Sequence, residues 1–316
     1  MDISLVIPLL NEKESLPELV SWIKRVCDDN NYTYEVILVD DGSTDGSWET
    51  IETLAGADSC VHGIRFRRNY GKSAALYCGF ARAQGDVVFT MDADLQDSPD
   101  EIPEMFKMVS EQGYDVVSGW KQKRKDNALT KNLPSKLYNA TARFITGIKL
   151  HDMNCGLKAY RSEVVKSIEV YGEMHRYIPY LAKNAGFDKI GEKPVHHQKR
   201  KYGSSKFGMN RFVNGFLDLL SLWFLSTFGK KPMHFFGYSG IFVFLVGFVM
   251  TVWIIASKLI AQGRGLRFRP VTDQPLFYLA LLSVVLGVML FLAGFVAELI
   301  SRSSSERNNY NIKSEI

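Results

Sequence analysis

Three carboxylates and one side-chain amide fall within six residues, Asp92-Ala93-Asp94-Leu95-Gln96-Asp97. They follow an apolar, β-branched run of strand length, Asp86–Met91, so the acids gather where a strand gives way to a loop. Carboxylates this close repel one another unless a cation lies between them. Their hard oxygens suit Mg²⁺ or Mn²⁺, ions often held by one or two carboxylates together with substrate phosphates. The competing reading is an acidic turn capping the helix after Pro99, with Ser98 as N-cap.

Other polar loops stand in phase with this one. Ile3–Ile7 reads as a first strand running into Pro8, with Asn11-Glu12 beyond it, and residues 14–29 have helical apolar spacing. Glu35–Val39 is a second strand, ending at Asp40-Asp41-Gly42-Ser43-Thr44-Asp45-Gly46. A helix over 47–55 and a strand over 61–66 follow, then Arg67-Arg68-Asn69-Tyr70-Gly71-Lys72 and a helix over 73–83. Strand–helix alternation predicts a parallel sheet with helices on both faces, and ligands on such sheets lie beyond the carboxyl ends of the strands. The loops after Ile7, Val39, Phe66 and Met91 should therefore share one rim, fit for a base, a sugar and phosphates. Gly71-Lys72 resembles a phosphate cradle but lacks P-loop spacing, so ATPase chemistry is not indicated; an ordinary helix entry is the alternative.

Basic residues cluster twice. After a strand at 114–119, the stretch 121–136 holds Lys121, Lys123, Arg124, Lys125, Lys131 and Lys136 against one acid, Asp126. It is either a solvated loop or a cradle for an anionic substrate or lipid headgroup. Pro134-Ser135 then starts a helix to about residue 145. A late strand is expected over 195–200, and Lys199-Arg200-Lys201-Tyr202-Gly203-Ser204-Ser205-Lys206 suits a loop that clamps phosphate oxygens. Asp152, in a polar turn, is a helix cap, an ion-pair partner or, as favoured here, a site carboxylate.

Among 316 residues the net charge is only +4, which gives nucleic-acid binding no support. Cys27, Cys60, Cys78 and Cys155 are widely spaced, as in a reducing compartment. The start MDISLVIP shows no basic n-region of a cleaved signal. From Asn210 the chain turns apolar. Residues 210–230 carry a polar stripe (Arg211, Asn214, Asp218, Ser221) on an aromatic-rich helix suited to a membrane interface, or else to a core. Spans at about 234–257 and 276–299 are each long enough for roughly 30 Å of hydrocarbon. A polar link at 258–275 joins them, and a polar tail covers 301–316. Two spans put both ends of this unit on one side. That side is expected to be the cytosol, although Lys258, Arg264, Arg267 and Arg269 in the link pull against the positive-inside rule. Packing between chains, through Gly240, Gly247, Gly287 and Gly294, would make the protein a homo-oligomer.

Val6-Ile7-Pro8 with Asn11-Glu12, Asp40-Asp41-Gly42-Ser43-Thr44-Asp45, Arg68-Asn69-Tyr70-Gly71-Lys72 and Asp92-Ala93-Asp94-Leu95-Gln96-Asp97 together resemble a family-2 glycosyltransferase. More narrowly, the chain resembles the polyprenyl-phosphate glycosyltransferases, such as bactoprenol glucosyltransferases and dolichyl-phosphate mannose synthases. The likeness covers residues 1 to about 210 by motif and extends to about 300 through the interfacial helix and two spans. It implies an α/β, GT-A, Rossmann-like, mostly parallel sheet over 1–209, followed by an amphipathic interfacial helix and two transmembrane helices. It also implies a membrane-bound enzyme, its catalytic domain in the cytosol at the inner or plasma membrane.

The resemblance implies a nucleotide-sugar donor held by Pro8, Asn11, Glu12, Asp40, Asp41, Ser43, Gly71, Lys72, Asp92, Ala93 and Asp94. Asp92, Asp94 and Gln96 match the family's metal and diphosphate motif, for Mg²⁺ or Mn²⁺. Lys121, Lys131 and Ser135 lie where acceptor-phosphate contacts occur, and Arg200, Ser205 and Lys206 match a late phosphate clamp. The family often has Arg where Lys121 and Lys131 stand, and an ammonium lacks the guanidinium's bidentate grip. The roles expected in catalysis fall to Asp94, Asp152, Lys121, Lys131 and Arg200. UDP-glucose is the first-choice donor and polyprenyl (undecaprenyl) phosphate the acceptor, with other UDP-sugars or GDP-mannose as alternatives. A processive synthase would carry Gln-x-x-Arg-Trp, which is absent. A non-catalytic lipid-binding scaffold is opposed by the intact Asp92 and Asp94, and a transporter subunit by the lack of an intramembrane charge pair.

Overall fold

The computed structural model describes residues 1–121, 143, 146–172, 174–198, 201–202, 220–221, 223–224, 227–229, 231–265 and 269–303. They divide into two units, Met1–Leu219 and Leu220–Ile316.

The first unit is built on seven strands: β1 Ile3–Leu9, β2 Tyr34–Asp40, β3 Val61–Arg65, β4 Val87–Thr90, β5 Val116–Trp120, β6 Lys158–Arg161 and β7 Ile190–Pro194. Among the described residues six α-helices belong with them: α1 Leu16–Asp29, α2 Ser47–Ala57, α3 Lys72–Arg82, α4 Ile102–Ser110, α5 Ser162–Ser167 and α6 Ile178–Asn184. The sheet order is β3-β2-β1-β4-β6-β5-β7. All seven residues of β2 are buried, as expected of a strand covered on both faces. The apolar face of α1 packs Leu16, Leu19, Val20, Ile23, Val26 and Cys27 into the core. This is the mostly parallel α/β sheet expected from sequence.

The β1–β2, β1–β4, β2–β3 and β5–β7 pairs are parallel, whereas β6 is antiparallel to both β4 and β5. Six strands thus run one way and β6 alone runs the other. The reversal matters for the site. The carboxyl ends of β1 to β5 and β7 open on one rim, and so does the amino end of β6, with the Asp152–Gly156 turn that precedes it. The strand order reverses at β1, so the crevice between the loops after β1 and β4 is where an open α/β sheet takes its ligand.

One strand differs from expectation. The late strand is Ile190–Pro194, not 195–200. It is an edge strand in which only Lys193 is buried, so it carries no apolar alternation for the sequence to display. The Val195 amide still donates to Trp120 O at 3.0 Å, and His197 then bridges to Asp97.

In the second unit, α7 Pro232–Gly263 and α8 Pro275–Ser303 are long and apolar enough to cross a membrane. They pack against each other through glycine. A Cβ on Gly240 would lie 2.8 Å from Gly287 O, one on Gly247 2.8 Å from Ala280 O, and one on Gly294 2.8 Å from Phe236 Cβ. Gly240 facing 287, Gly247 facing 280 and Gly294 facing 236 make the pair antiparallel. The four glycines expected to serve between chains therefore serve within one, and they leave the oligomer expectation without that support. Large apolar side chains such as Phe242 and Trp253 face outward, each 68% exposed. The interfacial helix expected at 210–230 lies mostly outside the described residues; 220–221, 223–224 and 227–228 are helical, and Phe224 meets Phe235 edge-on while Phe228 meets it at a tilt.

Gly287 is the tightest of these contacts, its added Cβ falling 2.5 Å from Phe244 N. Gly287→Val should lower stability by about 1–3 kcal/mol through overpacking, read as a lower thermal midpoint in detergent. Gly263→Ala, where a Cβ meets nothing within 4 Å, is the control and should leave the midpoint within error or above. Equal midpoints for the two variants would exclude the packing role.

Candidate active site

The rim is assembled by interlocked loops. Asn11 takes a left-handed conformation (φ 57°), one that asparagine tolerates. Its amide donates to Ser43 Oγ at 2.8 Å and its Oδ1 accepts from the Thr44 amide at 2.8 Å. The Glu12 amide donates to Ser47 Oγ at 3.0 Å. Asp40, fully buried at the end of β2, accepts from the Ser43 amide at 2.8 Å. Asp41 reaches across to the next loop, its Oδ1 accepting from the Tyr70 amide at 2.7 Å and its Oδ2 from the Gly71 amide at 3.0 Å. Gly42 (φ 80°) must be glycine, because a Cβ would sit 2.7 Å from the Arg68 carbonyl carbon. Asn11, Asp40, Asp41 and Ser43 thus shape the loops among which Pro8, half-buried in β1, and Glu12 also stand.

The loop after β4 is held by cations. Lys72 opens α3, and its ammonium rests on Asp92 Oδ1. Burial alone would raise the Asp92 pKa, but the charge and hydrogen bond of Lys72, then Lys121 and Lys158, hold it well below the usual carboxylate range. Asp92 is therefore an anion at neutral pH. Asp94 is half-buried and its Oδ1 accepts from the Gln96 amide at 3.2 Å. Between them Leu95 is driven into the left-handed region (φ 58°), which costs about 1–2 kcal/mol for a residue with a Cβ; its side chain is buried, at 4% exposure, and so fixes the loop. Ser98 does cap the turn that follows, its Oγ accepting from the Asp100 amide at 3.3 Å. The capping and metal readings are thus compatible, because they use different residues.

The turn before β6 closes the far side. Asp152 is buried and accepts from the Asn154 amide at 3.0 Å. Gly156 lies flush against Asp92, and a Cβ there would collide with the Asp92 carboxylate. Thr90 Oγ1 donates to Gly156 O at 2.9 Å and fixes that approach. Beneath it Lys158 is buried and donates to Cys155 O, with a pKa lowered by burial. The imidazole of His175 lies with Nδ1 3.1 Å from Ser73 Oγ, one residue after Lys72. Burial, reinforced by Lys72, Arg176 and Lys158, pushes its pKa down to about 2, so the ring is neutral.

Lys121, at the end of β5, turns its ammonium inward to Asp97 at 2.7 Å. Burial opposes its charge, but Asp97 above all outweighs that and raises its pKa. Asp92, Asp94, Lys72, Lys121 and Asp152 thus share the rim. Lys131, Ser135, Arg200, Ser205 and Lys206 lie outside the described residues. Sequence reasoning passed over Gly156, Lys158, His175 and the separate role of Asp97. The available signals were the glycine after the Asp152 turn and the buried-strand position of Lys158.

Among the described residues, no group of three or more His, Cys, Asp or Glu side chains could hold a metal ion by itself. Two hard carboxylates on one loop, Asp92 and Asp94, nevertheless fit Mg²⁺ or Mn²⁺, ions that complete their shell with water and phosphate oxygens. Gln96 sits on the same loop, its backbone carbonyl accepting from the Gln198 backbone amide at 2.9 Å.

Comparison with known proteins agrees with this architecture. Residues 4–169 match the model of glycosyl transferase family 2. Dodecaprenyl-phosphate galacturonate synthase of Rhizobium johnstonii is 33% identical over 305 residues, covering 96% of this chain and 88% of that protein. Undecaprenyl-phosphate 4-deoxy-4-formamido-L-arabinose transferase of Aeromonas hydrophila is 36% identical over 301 residues, covering 95% and 88%. Among solved structures, glucosyl-3-phosphoglycerate synthase of Mycobacterium tuberculosis, in complex with Mg²⁺ and uridine diphosphate, superposes with a TM-score of 0.53. It shares 21% identity and covers 69% of this chain and 79% of that one, and the likeness establishes the GT-A fold.

The neutral His175 has a measurable consequence. The unfolded chain binds a proton at this residue below its ordinary pKa of about 6.5 while the folded chain does not. The histidine's share of stability is therefore complete above pH 6.5 and is lost as pH falls below it. His175→Gln should flatten the stability–pH slope between pH 6.5 and 4 in urea titrations. A slope unchanged by the substitution would exclude a neutral buried ring.

Proposed function

The chain belongs to glycosyl transferase family 2, and from that membership we propose that it transfers a sugar from a nucleotide-sugar donor to polyprenyl phosphate at a membrane surface. The observation that carries the reading is the convergence, on one rim, of the Asp92–Asp94 loop with Lys72 and Lys121. Likeness that runs through both apolar helices to two relatives acting on polyprenyl phosphates supports the acceptor.

The donor diphosphate is assigned to the mouth of the β1–β4 crevice, with its nucleoside among Pro8, Asn11, Glu12, Asp40, Asp41 and Ser43. Asp92 and Asp94, with Gln96 beside them, would hold Mg²⁺ or Mn²⁺. When bound, the metal neutralises the leaving nucleoside diphosphate. Lys72 keeps Asp92 ionised for that task and offers the diphosphate a second cation. A lipid monophosphate has a second pKa of about 6 and is largely a dianion near neutral pH, so its oxygen needs little help from a base. It attacks the anomeric carbon, the new carbon–oxygen bond forming as the bond to the diphosphate breaks, in line and with inversion. Two anions must approach for this, and Lys121, Lys131, Ser135, Arg200, Ser205 and Lys206 are assigned to the acceptor phosphate and diphosphate. Asp152 orients the acceptor or acts as a weak base.

A UDP-sugar is the proposed donor, with UDP-glucose the first choice. The relatives carry galacturonate and formamido-arabinose, so those sugars belong in the same trial. Two membrane-crossing helices return the chain to the side it left, and we place the catalytic domain at the cytosolic leaflet of the inner or plasma membrane. A polyprenyl chain cannot leave the bilayer, so the domain that uses it must work at the surface.

The test is transfer in detergent to undecaprenyl phosphate with Mg²⁺ or Mn²⁺. Labelled UDP-glucose, UDP-galactose, UDP-galacturonate, UDP-4-deoxy-4-formamido-L-arabinose and GDP-mannose are each supplied. Label should enter the lipid from one donor, and Asp94→Ala should reduce it by about 10²-fold or more. Asp152→Asn should lower kcat about tenfold; unchanged turnover would remove its role. Folded protein that neither transfers nor binds any of these nucleotides would favour the lipid-binding scaffold.

A further inference from the structure

Asp97 is the acid of the loop that faces neither solvent nor Lys72. Its carboxylate is fully buried, with Lys121 Nζ at 2.7 Å from Oδ1 and His197 Nδ1 at 4.0 Å. Among the described residues no hydrogen-bond donor meets its Oδ2. Lys121 keeps only 12% of its side-chain exposure, and its ammonium stands against that buried carboxylate just past the carboxyl end of β5. The backbone of Asp97 pairs with His197 in an antiparallel bridge, and the Gln198 amide donates to Gln96 O at 2.9 Å. Two chain segments are therefore fastened at one residue. Lys121 is where the first basic segment, 121–136, leaves β5. Residues 197–198 are where the second, 199–206, begins.

A buried carboxylate–ammonium pair is poor insurance for stability, since apolar residues of like volume often serve as well or better. A lysine left to itself keeps a flexible stem and a mobile charge. Seated on Asp97, the Lys121 charge has one position, beside the loop that follows β4. We propose that Asp97 is a positioning residue for the acceptor: it seats Lys121 so that its ammonium meets the acceptor phosphate. The inference rests on the transfer reaction proposed above. With its carboxylate buried against Lys121, Asp97 would act through that ammonium.

The experiment uses the full chain in detergent, with Asp97→Asn, Asp97→Glu, Lys121→Met and the double variant Asp97→Asn/Lys121→Met. Acceptor and donor KM are measured separately, and a short-chain prenyl monophosphate is titrated by calorimetry without donor. Asp97→Asn should raise acceptor KM and prenyl-phosphate Kd about tenfold, with donor KM within twofold of the parent. Asp97→Glu keeps the charge but displaces it by one methylene, and its acceptor KM should fall between. It serves alone if the Asn variant does not fold. The double variant should be no worse than Lys121→Met, because the two residues act through one ammonium. Acceptor KM unchanged in whichever variant folds, donor and acceptor KM rising together, or single effects that multiply in the double variant would each overturn the inference while leaving the transfer reaction standing. A parent protein that does not bind prenyl monophosphate would overturn both.

Discussion

Charge compensation is the constraint on which this rim depends. Three carboxylates stand within one loop, and a ligand bearing phosphates would bring more negative charge to the same place. The chain answers by giving individual acids individual cations. Lys72 serves Asp92, and Lys121 serves Asp97. Asp94, half-buried between them, accepts from the Gln96 backbone amide through its Oδ1. The loop is thereby neutralised enough to fold while Asp92 stays ionised. Without the ammonium groups, burial would push Asp92 toward its protonated form, and a protonated acid is a poor ligand for Mg²⁺ or Mn²⁺.

Placement of those cations is a property of the topology. Lys72 is the first residue of α3, brought to the rim by the parallel run of β3 into that helix. Lys121 leaves the carboxyl end of β5, two strands away from β4. The strand between, β6, runs the opposite way, and only that reversal lets the Asp152–Gly156 turn meet the Asp92 loop from the far side. Gly156 then has to be bare, because the carboxylate occupies the space a Cβ would need. Sheet direction, a single glycine and a lysine at a helix start are thus one arrangement seen at three levels.

How much of this could be read from sequence follows from the kind of signal each part leaves. Buried parallel strands write themselves as continuous apolar runs, so β1, β2 and β4 were legible within a residue or two, as were the loops at their ends. The edge strand β7 has the sequence Ile-Gly-Glu-Lys-Pro, with one buried residue; backbone pairing defines it, and pairing leaves no trace in composition. The Asp92–Asp97 cluster was visible as a group, but its division into the half-buried Asp92 and Asp94 and a buried Asp97 depends on partners 24 and 100 residues further on in the chain, at 121 and 197. His175 was illegible for the same reason, since its neutrality is set by burial and then by Lys72, Arg176 and Lys158, which only the fold gathers around it. The helix glycines were noticed for the right property, close approach, and assigned to the wrong partner, because spacing within one helix does not say which helix comes near.

That last reassignment bears on how the proposed reaction would be housed. Glycine-to-backbone contacts at 240, 247 and 287, with Gly294 against Phe236, bring α7 and α8 together along their length. Between helices in lipid there is no hydrophobic drive to associate, so close van der Waals packing of this sort is what holds such a pair. The contact surface is consequently satisfied within a single chain, and the large side chains, Phe242, Trp253 and Leu282 among them, are turned outward where only an apolar medium suits them. A hairpin of this kind is a self-sufficient anchor. In a bilayer it would confine the first unit to the neighbourhood of any substrate that is itself confined there. For a water-soluble donor and a lipid-bound acceptor, that confinement turns a search through volume into a search over a surface. What remains for the rim is to bring together the two sets of phosphates that repel each other.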